Sequence, residues 1–260
     1  MTPSQFVADD VERLSRVAAD AGFPSLALQS YWVTRYGVAE TRKLLDEIGL
    51  TAGALEGAIR WADGPEAAAL DADELLDLTA TIGARVLHGT SMALELDSLP
   101  RAVEGFATLC ERAKPYGIEV SVEHIPFQAI PDIATAWQIV RESGATNGGI
   151  CVDLMHWHRQ VGGPDFDEVR AIPGEHINYV QLSDDTGVPA SSAEEYMVEC
   201  LTSRPVPGDG VIDVEGMLAA LAATGCDPYV AYQVCNPDMA AAGADGMAAR
   251  LHANAEEILG

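Results

Sequence analysis

Polar side chains that can bind a cation or move a proton follow several short apolar segments from the middle of the chain onwards. They are Glu123 with His124, Asp153 with His156 and Arg159, Gln181 with Asp184, and Gln233. Carboxylate and amide oxygens are ligands for divalent cations, and carboxylates and imidazoles are general acids and bases. If the fold brings the ends of these segments together, the sequence predicts one polar site that performs metal-assisted or proton-transfer chemistry.

Each of these residues also has a purely structural explanation. Asp153 could cap a helix, His156 could lie in the core, and Gln181 could be a satisfied amide. Taken together, Glu123, Asp153 and Gln181 with His156 beside them favour a site for a hard or borderline divalent cation. We expect Mn²⁺ or Mg²⁺, with Co²⁺ and Zn²⁺ as alternatives.

The elements that must position these residues alternate between short apolar segments and longer amphipathic ones. The predicted strands are Ser25–Gln29, Ala52–Ile59, Arg85–Gly89, Ile118–Glu123, Gly149–Asp153, Ile177–Leu182 and Tyr229–Val234. The predicted helices are Ala8–Ala21, Val38–Ile48, Ala72–Ile82, Leu99–Tyr116, Ile133–Ser143, Ala193–Leu201, Val214–Thr224 and Ala244–Leu259. Apolar strands that alternate with helices are typical of parallel strands joined by right-handed crossovers.

This alternation predicts an α/β fold, a (β/α)₈ TIM barrel that forms a single domain over residues 1–260. The opening strand is either the short segment Ser4–Val7 or missing. Active sites of such barrels lie at the carboxyl ends of the strands, which is where the polar residues fall.

Further residues near strand ends could line the same site. His88 ends the third predicted strand, and Trp32, Trp61 and Trp157 follow strand ends, where an aromatic face could stack on a sugar. Core packing is the alternative for each tryptophan. Glu56 lies within a predicted strand and is interpreted as a polar group of the pocket or the barrel interior.

The charge of the chain limits its partners. It has 40 acidic and 15 basic side chains, for a formal net charge of −25. Binding to nucleic acid phosphates depends on Lys and Arg, so this charge argues against nucleic acid and against an acidic membrane face. The 5 cysteines form no Cys-x-x-Cys pair, and no secretory signal or transmembrane segment is recognisable. We therefore expect reduced thiols and a cytoplasmic location.

The later part of the chain resembles the sugar phosphate isomerase/epimerase superfamily, the xylose-isomerase-like TIM barrels. The matching motifs are Val122-Glu-His-Ile-Pro-Phe, Asn147-Gly-Gly-Ile-Cys-Val-Asp-Leu-Met-His-Trp-His-Arg, Tyr179-Val-Gln-Leu-Ser-Asp, Pro207-Gly-Asp-Gly and Tyr232-Gln-Val-Cys-Asn. Their order extends from about residue 80 to the end. The Asp-x-x-His-x-x-Arg segment at Asp153 and the loop at Pro207 are the most specific parts.

The resemblance implies a role for individual residues. It implies that the metal ligands are Glu123, Asp153, Gln181 and Gln233, with the catalytic residues Glu123, His156 and Arg204. His156 matches a substrate-contacting histidine, and Arg204 would anchor an anionic or hydroxyl-rich group. The residues expected to bind substrate are His88, His124, Trp157, Arg159 and Asp184.

Position 233 departs from the pattern, because the family usually has a glutamate there that is both ligand and base. Gln233 has a neutral amide, which binds a divalent cation less well than a carboxylate and cannot abstract a proton. A two-base epimerisation would therefore lose one base, while chemistry on one face of the substrate stays feasible with Glu123 or His156.

The resemblance implies a metal-dependent isomerase or epimerase that acts on a sugar or polyhydroxy keto compound through an enediolate. The alternatives are a lyase of the dehydroshikimate dehydratase type and a diverged, non-catalytic barrel. The endonuclease branch of the same fold is disfavoured, because it requires more zinc-ligating histidines than the 6 here and a basic surface. The expected partner is a small polyhydroxy molecule, and assembly into a homo-oligomer is left open.

Overall fold

The computed structural model describes residues 11–260, without the side chain of Ala240, and contains a sheet of parallel strands. The strands are β1 (Ser25–Gln29), β2 (Thr51–Ala58), β3 (Val86–Thr90), β4 (Glu119–Glu123), β5 (Gly148–Asp153), β6 (Ile177–Leu182) and β7 (Tyr229–Tyr232). They are hydrogen-bonded in the order of the sequence. Each predicted strand between residues 25 and 234 is therefore confirmed, whereas Ser4–Val7 lies outside the described residues.

The sheet curls into a nearly closed barrel, and the side chain of Tyr229 shows how close its edges come. The hydroxyl of Ser25 on β1 donates to the hydroxyl of Tyr229 on β7 at 3.4 Å. On β2, a Cβ atom added to Gly53 would lie 1.9 Å from the Tyr229 ring, so only glycine leaves room for this aromatic side chain. The barrel interior is thus filled by side chains, as in other TIM barrels.

The helices surround this sheet. They are α1 (Val11–Asp20), α2 (Ser30–Tyr36), α3 (Val38–Ile48), α4 (Pro65–Ile82), α5 (Leu99–Ala113), α6 (Ile133–Ser143), α7 (Leu154–Arg159), α8 (Phe166–Arg170), α9 (Ala193–Thr202), α10 (Val214–Thr224) and α11 (Pro237–Ile258). The main hydrophobic core lies between the strands and these helices, and a smaller apolar layer that includes Ala27, Ala54 and Tyr179 fills the barrel interior. None of the helices within residues 11–260 is long and apolar enough to cross a membrane.

Three short helices, α2, α7 and α8, were not predicted, and the first two directly follow strands. Helix α2 begins after β1, and α7 begins after Asp153, the last residue of β5. The Asp153 carboxylate accepts a hydrogen bond from the main-chain N–H of His156 at 2.9 Å, which is a standard N-cap. Since α7 starts at once, the segment after β5 carries His156 back over the end of the barrel.

Helix boundaries differ from the prediction most at α4 and α11. Helix α4 begins at Pro65 instead of Ala72, because proline is well suited to the first turn of a helix. Helix α11 begins at Pro237 instead of Ala244 and is interrupted by non-helical geometry at Gly243. Neither difference alters the position of the strand ends that carry the polar residues.

Candidate active site

A cavity of about 420 Å³ lies at the carboxyl ends of the strands. Its polar wall consists of Gln29, Glu56, His88, Glu123, His156, Gln181, Arg204 and Gln233. Its apolar side includes Trp32, Met92, Ile125, Met197 and Leu201. The structure therefore brings together predicted site residues from β3, β4 and β6 and from the segments that follow β5, α9 and β7.

A second cavity, of about 480 Å³, lies at the opposite end of the barrel and includes the first residues of β4, β5 and β6. Arg85 in its wall is paired with Glu119 at 2.9 Å. This end of a TIM barrel is the end at which residues mostly stabilise the fold. We therefore assign the chemistry to the first cavity, which contains the buried carboxylates and imidazoles.

Glu123 is flanked by two imidazoles. Its Oε2 lies 3.4 Å from Nε2 of His88, and its Oε1 lies 3.6 Å from Nε2 of His156. Burial opposes ionisation of Glu123, but the hydrogen bond and charge of His88 outweigh it and lower the pKa of the carboxyl group. Burial likewise opposes a charge on His88, and its contact with Glu123 raises the pKa of the imidazole. The two groups stabilise each other's charged forms.

Arg204 joins Asp153 and His156. Its Nη1 donates to Oδ2 of Asp153 at 2.5 Å, and its Nη2 lies 3.1 Å from Nε2 of His156. Burial raises the cost of ionising Asp153, but the Arg204 guanidinium overcomes it and holds the pKa of Asp153 at about 2. Arg204 is positioned by main-chain hydrogen bonds in both directions with Cys235, just beyond β7.

The contacts of His156 define which nitrogen carries its proton. A guanidinium can only donate, so Nε2 of His156 accepts from Arg204 and carries no proton. Nδ1 therefore carries the proton and donates to the hydroxyl of Tyr196 at 2.7 Å. Burial lowers the pKa of His156, but the charge of Asp153, together with Cys200 and Glu123, outweighs this effect and raises the pKa, which makes His156 a better proton acceptor.

Two glutamines present carbonyl oxygens that have no hydrogen-bond partner among residues 11–260. These atoms are Oε1 of Gln181 and Oε1 of Gln233, and both are buried. A buried polar atom without a partner is costly, and such atoms usually indicate an unseen water, ion or ligand. Gln181 is aligned with Asp153 in the register of β5 and β6, so its side chain lies at the level of the carboxylate.

The donor set fits a divalent cation. Ligand atoms of Glu123, Asp153 and His156 all lie within 4.8 Å of one another, and all three residues are buried. The unpartnered oxygens of Gln181 and Gln233 line the same cavity. Oxygen ligands with one imidazole suit Mn²⁺, Mg²⁺ or Zn²⁺.

Glu56 is a second buried carboxyl group in the wall of the cavity. It accepts hydrogen bonds from the Tyr179 hydroxyl at 2.6 Å, from Nε2 of Gln181 at 3.2 Å and from Nε2 of Gln29. Burial raises its pKa, opposed by the nearby His88. The interpretation of Glu56 as a polar group of the pocket agrees with this position.

Four residues predicted to bind substrate lie outside the cavity wall. Trp157 packs on Phe166 with ring centroids 5.0 Å apart, in the main hydrophobic core. Arg159 pairs with Asp185. Asp184 accepts main-chain hydrogen bonds from Gly208, Gly210 and Ile212 at 2.8–3.0 Å, and so holds the loop after Pro207. His124 is fully buried, and burial together with His156 lowers its pKa to about 4.

Gln29, Tyr196 and Cys200 are among the residues at the site that sequence reasoning missed. Gln29 ends β1, so the rule that selected the other strand-end residues could have found it. Tyr196 and Cys200 lie four residues apart on α9, on the side of the helix that contacts His156 and the cavity. No motif marks them, because only the packing of α9 over the barrel decides which of its faces meets the site.

The family described as xylose isomerase-like TIM barrel matches residues 15–253 of this chain. An inosose isomerase of Bacillus velezensis is 24% identical over 173 residues, which are 63% of this chain and 58% of that protein. A 3-dehydroshikimate dehydratase of Pseudomonas putida is 27% identical over 156 residues, which are 58% of this chain and 24% of that protein. The chain thus spans about half the length of the inosose isomerases that it matches.

A solved structure shares the same architecture. The crystal structure of the IolI protein with a bound zinc atom superposes with a TM-score of 0.85 at 15% identity, over 100% of this chain and 96% of that one. At this identity the similarity concerns the fold. The match and the superposition both extend over nearly the whole barrel, including the strand ends that carry the site.

Proposed function

Because this chain belongs to the xylose isomerase-like TIM barrel family, we propose that it is a divalent-metal-dependent isomerase of a small polyhydroxy ketone or aldehyde. One observation carries the proposal. Ligand atoms of the buried carboxylates Glu123 and Asp153 lie within 4.8 Å of each other, beside a cavity lined by Gln181 and Gln233, whose amide oxygens have no partner among residues 11–260. These are the residues that would hold the cation.

The cation would supply Lewis-acid polarisation of a carbonyl group, which lowers the pKa of the adjacent C–H. The chain itself supplies the proton transfer. Glu123 and Nε2 of His156 lie 3.6 Å apart, so a proton taken from one carbon by either group can pass to the other and return at the neighbouring carbon. The Tyr196 hydroxyl accepts a hydrogen bond from Nδ1–H of His156, which keeps the proton on Nδ1 and leaves Nε2 as the basic nitrogen.

The glutamine at position 233 favours isomerisation over two-base epimerisation. An amide cannot abstract a proton, so both remaining bases, Glu123 and His156, act from the same part of the cavity. Transfer of a proton between adjacent carbons on one face requires only such a pair. The inosose isomerase relatives support an isomerisation of this kind on a cyclic or open-chain polyol.

Dehydration of an acidic ring compound is a second candidate, supported by the dehydratase relative and by the same one-faced arrangement of bases. The engagement of Arg204 weighs against it. Two of its nitrogens are already bonded to Asp153 and His156, which leaves little of the guanidinium to bind a carboxylate substrate. A cytoplasmic location and the absence of nucleic acid and membrane partners stay predictions.

Metal binding and proton abstraction can be tested together. Wild-type protein and Glu123→Gln are stripped with EDTA and titrated with Mn²⁺, and bound metal is counted by mass spectrometry. Each is then incubated in D₂O with inososes, ketoses, aldoses or 3-dehydroshikimate, and loss of C–H signal is followed by NMR. For the wild type we expect about one bound ion per chain and exchange of hydrogen for deuterium at the carbon next to the carbonyl of a neutral polyhydroxy compound. For Glu123→Gln we expect neither. A wild-type protein that binds no Mn²⁺ contradicts the proposal.

A further inference from the structure

Glu56 contacts the metal-site glutamine from the side away from the other ligands. It lies on β2, whereas the carboxylates and amides that would hold the cation come from β4, β5, β6 and the residue after β7. Its Oε1 accepts from Nε2 of Gln181 at 3.2 Å and from the Tyr179 hydroxyl at 2.6 Å. Its Oε2 contacts Nε2 of Gln29. Glu56 is 4% exposed, so these contacts are shielded from water.

The regular geometry of the sheet places these four residues together. Tyr179 and Gln181 are two residues apart on β6, so their side chains lie on the same face of the strand. Gln29 and Glu56 are partners in the register of β1 and β2. Glu56 therefore reaches across the barrel to β6 from a fixed position on the opposite wall.

This contact determines which end of the Gln181 amide turns away from Glu56. With the amide reversed, Oε1 of Gln181 would face Oε1 of Glu56, and two acceptors would meet in a buried site. The observed orientation avoids this repulsion, because the amide nitrogen donates to Glu56. It also leaves Oε1 of Gln181 without a partner among the described residues.

We propose that Glu56 is a positioning residue that holds the Gln181 amide with its oxygen available to the metal, and thereby sets the affinity of the site for divalent cations. The inference rests on the proposed function, because it requires a cation at Gln181. It assigns Glu56 a specific task in a site where two of the four oxygen donors are neutral amides. Such an amide is useful as a ligand only when its oxygen, and not its nitrogen, faces the ion.

Two conservative substitutions separate positioning from charge. Glu56→Gln removes the charge but keeps an oxygen that can accept from Gln181, since the Gln29 amide can reverse to match. Glu56→Asp keeps the charge but withdraws the carboxylate by one methylene, which breaks the contact with Gln181. We expect the Kd for Mn²⁺ to rise about tenfold in Glu56→Asp and to stay within about threefold in Glu56→Gln.

The measurement is Mn²⁺ titration by electron paramagnetic resonance, repeated for both variants in a Gln181→Ala background. In the Gln181→Ala background, Glu56→Asp should change the Kd for Mn²⁺ by about twofold at most, because the Gln181 amide through which Glu56 acts has been removed. Tyr232→Phe is the control, because it removes a hydroxyl that contacts Asn254 and does not line the cavity, and it should leave the Kd unchanged. Circular dichroism verifies that each variant is folded.

The outcomes distinguish this inference from the proposed function. An equal rise of the Kd for Mn²⁺ in Glu56→Gln and Glu56→Asp would show that the charge of Glu56 matters and would overturn the positioning role. A rise of the Kd in Glu56→Asp that is just as large in the Gln181→Ala background would overturn it too. An unchanged Kd in Glu56→Asp would overturn it as well, while the proposed function would stand if Glu123→Gln still abolishes binding. A wild-type protein without Mn²⁺ affinity would overturn both.

Discussion

Arg204, in the wall of the cavity, forms a buried ion pair with Asp153, with Nη1 of the guanidinium 2.5 Å from Oδ2 of the carboxylate. The two residues are separated by 51 positions in the sequence, and both side chains are almost completely shielded from water. Asp153 therefore makes two observed contacts: it caps α7 and it pairs with Arg204. In the proposed function it also binds the cation. Any cation at Asp153 shares the carboxylate with Arg204.

Replacing Arg204 by alanine should destabilise the protein by about 3–5 kcal/mol, because Asp153 would be left as a buried charge without a partner. Mn²⁺ should recover part of this loss, since it supplies positive charge to the same carboxylate. Urea unfolding with and without Mn²⁺ measures both effects. Arg42→Ala, which breaks an exposed pair with Asp46, is the control and should have little effect. A small effect of Arg204→Ala would contradict the importance of the pair.

Replacing Gln233 by glutamate should lower the Kd for Mn²⁺ by about tenfold or more, because it adds a negative charge to the ligand set. Isothermal titration calorimetry with EDTA-treated protein provides the measurement. Gln138→Glu, on the outer helix α6, adds the same charge away from the cavity and serves as the control. Equal affinity of Gln233→Glu and wild type would show that position 233 does not face the cation.

Replacing Tyr196 by phenylalanine should lower kcat about tenfold with little change in KM. The Nδ1 proton of His156 would lose its acceptor, so the imidazole would be less well oriented as a base, while the cavity would keep its shape. Steady-state kinetics on the substrate identified by deuterium exchange tests this. Tyr116→Phe removes an exposed hydroxyl that contacts Asp77, and its kcat should equal that of the wild type. A rise in KM alone would argue for substrate binding by Tyr196.

His124 should make the stability depend on pH on the acidic side of neutrality. Burial lowers the pKa of His124 to about 4 in the folded state, whereas the pKa of a histidine in the unfolded chain is about 6.5. The unfolded state therefore binds the proton first, and the free energy of unfolding should fall by about 3 kcal/mol as the pH decreases from about 7 to 4. His124→Asn should remove most of this slope. Unfolding by urea at a series of pH values measures it, and an unchanged slope in the variant would contradict the prediction.

Asp184 should stabilise the loop after Pro207 and not the bound substrate. Asp184→Ala removes the acceptor of three main-chain hydrogen bonds from this loop, so the amides of Gly208, Gly210 and Ile212 should exchange with D₂O faster. Hydrogen exchange followed by mass spectrometry tests this in the absence of substrate. Asp209→Ala, which removes an exposed carboxylate of the same loop, is the control. Unchanged exchange in Asp184→Ala would favour the original prediction of substrate binding.

Much of the fold follows from local sequence patterns. The strands Ser25–Gln29 and Ile177–Leu182 and the helices Val38–Ile48, Ile133–Ser143 and Val214–Thr224 have the predicted boundaries. Strands that are buried on both faces require continuous runs of apolar residues, and amphipathic helices require apolar residues with a period of 3.6. Both kinds of element can therefore be predicted from residues close together in the sequence. The order of the elements then selects parallel strands.

The central residues of the site were also predictable, because a parallel barrel places the carboxyl ends of its strands together. Glu123 and Asp153 end β4 and β5, and the sequence alone placed them in the candidate site. Gln181 lies beside Asp153 for the same reason. Position along a strand was sufficient to select these three.

The remaining contacts were decided by tertiary structure. Trp157 was predicted as a wall of the site, but α7 turns its ring towards Phe166 in the core, and Tyr196 takes a place beside His156 from a helix packed over the barrel. Glu56 meets Gln181 across 125 residues of sequence. The types of residue and their positions along the strands are local properties that the sequence determines. Hydrogen bonds across the barrel form only when closure of the sheet brings donor and acceptor atoms of opposite strands within about 3 Å of each other.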